Sequence, residues 1–152
     1  MPRGIGISQT TPVQTIARVV GFVFLLVGIA GFVPGITTNL YDGLEFAGDA
    51  GDAELLDLFE ISILHNIVHA LFGVGVLMAA TPAGGRTYLL GSGALYVVLF
   101  LIGIAGAGDW VPINNGDNWL HLGLAVGLIA LGLLTTRGRD PTAATTHNPS
   151  RQ

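Results

Sequence analysis

Two imidazoles stand one helical turn apart in His65-Asn66-Ile67-Val68-His69, inside an apolar run that would otherwise hold Leu or Val. Near the C-terminus, Asp117-Asn118-Trp119-Leu120-His121 repeats the order: a polar residue, then Asn, then His, at positions i, i+1 and i+4. On a helix, i and i+4 share a face, so His65 is expected over His69 and Asp117 over His121. If His65, His69, Asp117 and His121 converge, they offer the donor types of a first-row transition-metal site for Zn, Fe or Cu. His69 and His121 alone could serve as axial ligands of a haem held among four helices. The same groups could relay protons or bind a small solute for transport, which would call for an oligomer. They could also act as polar glue, hydrogen-bonding between helices at about 0.5–2 kcal/mol each. The glue reading is preferred, with no cofactor, because such bonds are common inside membranes.

Other chemistries find little footing. The absence of Cys excludes disulfides, thiolate metal ligands, iron–sulfur clusters and a Cys nucleophile. Ser62 lies three residues before His65, yet neither a strained elbow nor a donor-rich loop accompanies it, so no catalytic residue is assigned. The glycines fall inside apolar runs and not in a phosphate loop, and the net charge of −4 argues against a nucleic-acid partner.

The elements that must position these residues are membrane spans. The chain has 152 residues, 51% hydrophobic and only 11% charged, and its mean hydropathy is +0.66. Such a composition belongs to a small integral membrane protein. Four apolar stretches, about 16–33, 61–80, 88–107 and 119–135, could cross the ~30 Å hydrocarbon layer. An all-α bundle of four transmembrane helices is therefore expected. The lipid bilayer is its main partner, with further copies or other membrane proteins as possible neighbours.

Pro34-Gly35 closes the first span, because Pro cannot continue a helix. Residues 36–57 form an acidic loop, and Glu54, Asp57 and Glu60 then recur every third residue, which predicts an amphipathic helical lead-in to the second span. Thr81-Pro82 and a Gly-Gly-Arg turn separate spans two and three, and a polar loop, 108–118, separates three and four. The segments 1–15 and 136–152 are polar and read as disordered tails. His147 in the second tail is given no role.

Charge orients the spans. Arg3 and Arg18 precede the first, Arg86 lies between the second and third, and Arg137, Arg139 and Arg151 follow the fourth, so every basic residue falls on one side. The positive-inside rule makes that side the cytoplasm and the location the cell membrane, with both termini inside. Trp110 and Trp119 at the outer boundary and Tyr88 at the inner one read as interfacial aromatics.

The chain also resembles itself. Gly28-Ile29-Ala30-Gly31 before Val33-Pro34 answers Gly103-Ile104-Ala105-Gly106 before Val111-Pro112, and Asn66-x-x-His69 aligns with Asn118-x-x-His121, carrying Gly75 onto Gly127. Two tandem helical hairpins related by an axis along the membrane normal are implied. The first span, which could pass for a signal peptide, is kept for this reason, since the third would otherwise lose its counterpart. Gly28, Gly31 and Gly35 on span one, and Gly123 and Gly127 on span four, are expected to let helix backbones approach closely.

Gly31-Phe-Val-Pro-Gly35, His65-Asn-x-x-His69, and Val111-Pro112 followed by Asn118-x-x-His121 resemble the small four-helix prokaryotic membrane proteins catalogued as domain of unknown function 4383. The likeness runs from about Arg18 to Leu134. It implies the fold and a membrane location, and it carries no established activity.

Overall fold

The structure, a computed structural model, describes residues 10–106 and 111–135. Trp110 and the Arg-rich tail with His147 lie outside the described residues. In chain order come α1 (Pro12–Ala30), β1 (Thr37–Thr38), β2 (Glu54–Leu55), β3 (Phe59–Glu60), α2 (Ile63–Phe72), α3 (Gly75–Met78), α4 (Pro82–Ile104) and α5 (Asn115–Leu134). Three helices, α1, α4 and α5, are long and apolar enough to cross a membrane, whereas Ile63–Met78 is a shorter apolar segment.

The second span is shorter than expected because its helix breaks. Gly73 and Val74 donate to Ala70 and Leu71, three residues back, so the chain tightens between α2 and α3. The carbonyl of Phe72, released at that break, accepts the Tyr88 hydroxyl at 2.9 Å. Tyr88 is only 4% exposed. It is therefore a lock on the broken helix and not an interfacial aromatic.

The helices also start earlier than apolar composition implies, because cap residues and not hydropathy set their first turns. Thr81 accepts a hydrogen bond from Gly84 N at 3.0 Å, and Pro82 takes the first helical position, where its fixed φ suits the turn and its missing N–H costs nothing. The Thr-Pro pair read as the end of one span is thus the beginning of the next, and Gly84-Gly85-Arg86 are helical. At the same end of the molecule, the Gln14 amide donates to Ala79 O (3.2 Å) and Ala80 O (2.9 Å). Arg18 Nη2 also reaches Ala79 O, at 3.3 Å. Two side chains of α1 therefore satisfy carbonyls left open by the end of α3.

At the opposite end, the predicted amphipathic helix is replaced by a three-stranded antiparallel meander in the order β1-β2-β3. Thr37 pairs with Leu55, and Leu55 in turn with Phe59. Leu56 and Asp57, at φ 58° and 56°, make the tight turn between β2 and β3. Strands of two residues are too short to show alternation, so the acidic residues at every third position mimicked a helix. Ala53, Leu55 and Ile61 form a small apolar cluster under this cap. The larger core joins Val13, Ala17 and Phe24 of α1 to Leu89 and Tyr96 of α4 and Leu128 of α5.

α4 packs most extensively on α5, and α1 packs on α2, α3 and α4. α2 makes no comparable contact with α4 or α5, which leaves a seam between them.

Candidate functional site

Both polar motifs begin at helix N-termini. Ser62 caps α2, its hydroxyl accepting from His65 N at 3.1 Å. Asn114 caps α5, its side-chain oxygen accepting from Asp117 N at 3.0 Å. His65 and Asp117 are therefore both third residues of their helices, and Ser62, fixed as a cap, has the role of a structural hydroxyl.

From equivalent positions the two side chains diverge. His65 Nε2 lies 3.0 Å from His69 Nε2, so the expected stacking along α2 is present and one ring donates to the other. Asp117 turns back to its own helix start. Its Oδ2 accepts from Asn114 N at 3.1 Å and from Glu60 N at 3.1 Å. The Asn114 amide completes the tie by donating to Leu58 O at 3.0 Å. The carboxylate thus clips β3 to α5 and does not bond His121.

The three histidines meet around a cavity of about 200 Å³, lined by His65, His69 and His121 together with Leu64, Val68 and Leu99. Asp117 lines a separate cavity of about 120 Å³ with Asn66, and His65 and His69 reach into it as well. His121 is 4% exposed, and the Nδ1 atoms of His69 and His121 have no hydrogen-bond partner among the described residues. Aromatic rings pack against the group. Phe24 meets His69 edge-on at 5.7 Å between centroids, Tyr96 lies 5.2 Å from His121, and Phe24 and Tyr96 stack on each other at 5.8 Å. Tyr96 is a component that the polar motifs did not announce. Its signal in the sequence is a hydroxylated aromatic placed in the middle of an apolar span.

Among the described residues, no three His, Asp or Glu side chains are arranged, as they stand, around one metal position.

The two Asn residues hold helices. Asn66 is 2% exposed, and its carboxamide occupies the notch left by Gly31, where a Cβ would overlap it. Asn118 occupies the notch at Gly103 in the same way. Gly28 brings α1 against the backbone of Asn66 and Ala70. The remaining glycines singled out from the sequence behave differently. Gly35 stands at φ +85° with open space around its Cβ position, so it serves a left-handed turn after α1 and not packing. Gly123 and Gly127 of α5 also face open space, because α5 turns its other side to α4.

Outside the spans, Glu60 carries the local electrostatics. Partial burial, and then the charges of Asp49 and Glu54, hold its carboxyl above the usual carboxylate range.

No curated protein and no solved structure matches the chain. The family model described as domain of unknown function (DUF4383) matches residues 14–134, which takes in every helix described above, the meander and both His motifs. The chain belongs to that family.

Proposed function

We propose that this chain is a small accessory or scaffold protein of the cell membrane, without enzymatic activity, built from two similar helical hairpins and with both termini in the cytoplasm. One observation carries the reading: apart from the histidines, the polar side chains inside the helical body serve its own caps and helix contacts. Ser62, Asn114 and Asp117 cap helices, Gln14 closes the end of α3, and Asn66 and Asn118 fill glycine notches between helices. No hydroxyl or carboxylate among them stands free beside a base as a nucleophile would.

The hairpin reading is supported by the packing of α1 on α2 and of α4 on α5, and by the matching caps that put His65 and Asp117 third in their helices. The repeat is imperfect where Gly75 meets the Tyr88 ring while its counterpart Gly127 is open. The Ile63–Met78 segment would reach about 24 Å at 1.5 Å per residue. It becomes the fourth span with the meander sitting at the outer surface above it.

Two measurements test this. The protein lacks cysteine, so single-cysteine variants report topology cleanly, and Ala50→Cys is expected to react with an impermeant maleimide from outside the cell. Protection of that thiol in intact cells would overturn the orientation. Purified protein is expected to be colourless and free of stoichiometric metal. An absorbing or metal-loaded protein that loses the group in His69→Ala and His121→Ala would establish the metal or haem alternative.

A further inference from the structure

We propose that the seam between α2 and α4 binds a lipid-soluble ligand with an uncharged, hydrogen-bonding ring head and a long hydrocarbon tail, the chemistry of a prenylated quinone. The head would sit among His65, His69 and His121, and the tail would run along the seam toward Tyr88. This goes beyond the accessory role, which requires no ligand.

The shape comes first. The imidazole-lined cavity holds about 200 Å³, room for one substituted ring. Val68 forms part of its wall and also part of the wall of an apolar groove of about 460 Å³ bounded by Leu71, Phe72 and Tyr88. A mostly apolar cavity edged by three imidazoles, with an apolar groove on the other side of Val68, suits an amphiphile and suits neither a bare ion nor a water-soluble solute.

Charge then selects the head. The described Arg residues stand at the far end of the spans, Arg18 bonded to the Ala79 carbonyl and Arg86 in the first turns of α4. A carboxylate or phosphate head would thus lie in the bilayer without a counter-charge, beside Asp117 in the adjoining cavity. With one donor and one acceptor of the His65–His69 pair spent on their mutual bond, the three imidazoles still offer both donor and acceptor nitrogens, which serves a ring carbonyl and equally a ring hydroxyl. His121 is almost fully buried, and its buried Nδ1 has no hydrogen-bond partner among the described residues. The Phe24 and Tyr96 rings pack against His69 and His121 from outside the cavity and hold the imidazoles in place, while Leu64, Leu99 and Pro112 complete its wall.

The test uses the full chain in nanodiscs, with a short-tailed prenylated naphthoquinone as probe and palmitate as the charged control. Quinone binding is read from quenching of the two tryptophans and from the shift in Tm. Saturable binding to the wild type is expected, with affinity reduced about tenfold in His121→Ala, the loss of one hydrogen bond in a dry site. Val68→Trp, which fills the junction of head and tail, should abolish binding while leaving the helical spectrum intact. It keeps the test decisive if His121→Ala fails to fold. Absence of saturable quinone binding to folded wild type would overturn the proposal, as would full affinity in Val68→Trp. Palmitate binding as tightly as the quinone would overturn the uncharged head.

Discussion

Adding one methyl group at Gly28 tests whether α1 and α2 meet backbone to backbone. A Cβ built there falls 2.6 Å from the Asn66 carbonyl oxygen and 2.9 Å from the Ala70 Cα, and it overlaps the Ala70 amide nitrogen as well. These are main-chain atoms and cannot rotate away. Ordinary contact begins at 3.4 Å, so α2 would have to retreat by about 0.8 Å from the carbonyl alone. Overpacking of this kind costs about 1–3 kcal/mol, and the better helix propensity of Ala returns about 0.5–1. Gly28→Ala should therefore destabilise the fold by about 1–2 kcal/mol. Gly123→Ala is the control. Its Cβ meets nothing within 4 Å, so only propensity remains and the change should lie between zero and about 1 kcal/mol of stabilisation. Reversible unfolding in mixed micelles by increasing SDS, followed by circular dichroism, reads both. Equal effects of the two substitutions, or a stabilised Gly28→Ala, would refute the close approach of α1 and α2.

Three further outcomes follow from the cap and its ties. Leu56 holds φ 58° and is 59% exposed, so Leu56→Gly should relieve strain at little packing loss and raise stability by about 0.5–1 kcal/mol in the same unfolding assay. Asn114→Ala removes both the bond to Asp117 N and the bond to Leu58 O. It should cost about 1–2 kcal/mol, and Asn114→Asp, which keeps the bond from Asp117 N but has no N–H for the Leu58 carbonyl, should recover only part of that. Glu60 has a raised carboxyl pKa in the folded state, so its contribution is favourable when protonated and is lost as pH rises through that value. The meander should therefore tighten on acidification, seen as slower amide exchange at Leu55 and Phe59, and Glu60→Gln should flatten that dependence.

The long apolar helices and the family were legible from hydropathy and from the Gly31–Gly35 and Asn-x-x-His signatures, because long apolar helices leave a strong compositional trace. Helix starts were not, since Thr81-Pro82 looks the same whether it stops one helix or starts another. The distinction lies in the Thr81 hydroxyl reaching Gly84 N. The break in the second span was hidden because Gly73 is one glycine among 23. The meander was misread because its strands are two residues long and its turn uses Leu and Asp at positive φ in place of Gly. The exposure expected of Tyr88 as an interfacial aromatic gives way to burial. A helix that begins at Pro82 buries residue 88 against the broken segment.

The divergence of His65 and Asp117 explains why the repeat locates the site without defining its chemistry. Both are the third residue after a capping side chain, at offset 52 in the sequence. A carboxylate there is a strong acceptor one turn from unsatisfied backbone donors, so Asp117 folds back to the amides of Asn114 and Glu60. An imidazole is a weaker acceptor for that purpose and carries its own donor, so His65 looks along the helix and meets His69 at 3.0 Å. One position, filled by two residue types, thus yields a structural clip in one half and a cavity-lining pair in the other. The asymmetry leaves the cavity with three imidazole rings and no carboxylate on its wall. Had Asp117 instead faced His121, the pocket would have carried a negative charge and suited a cation. As it stands, the groups on its wall favour a head that carries no charge.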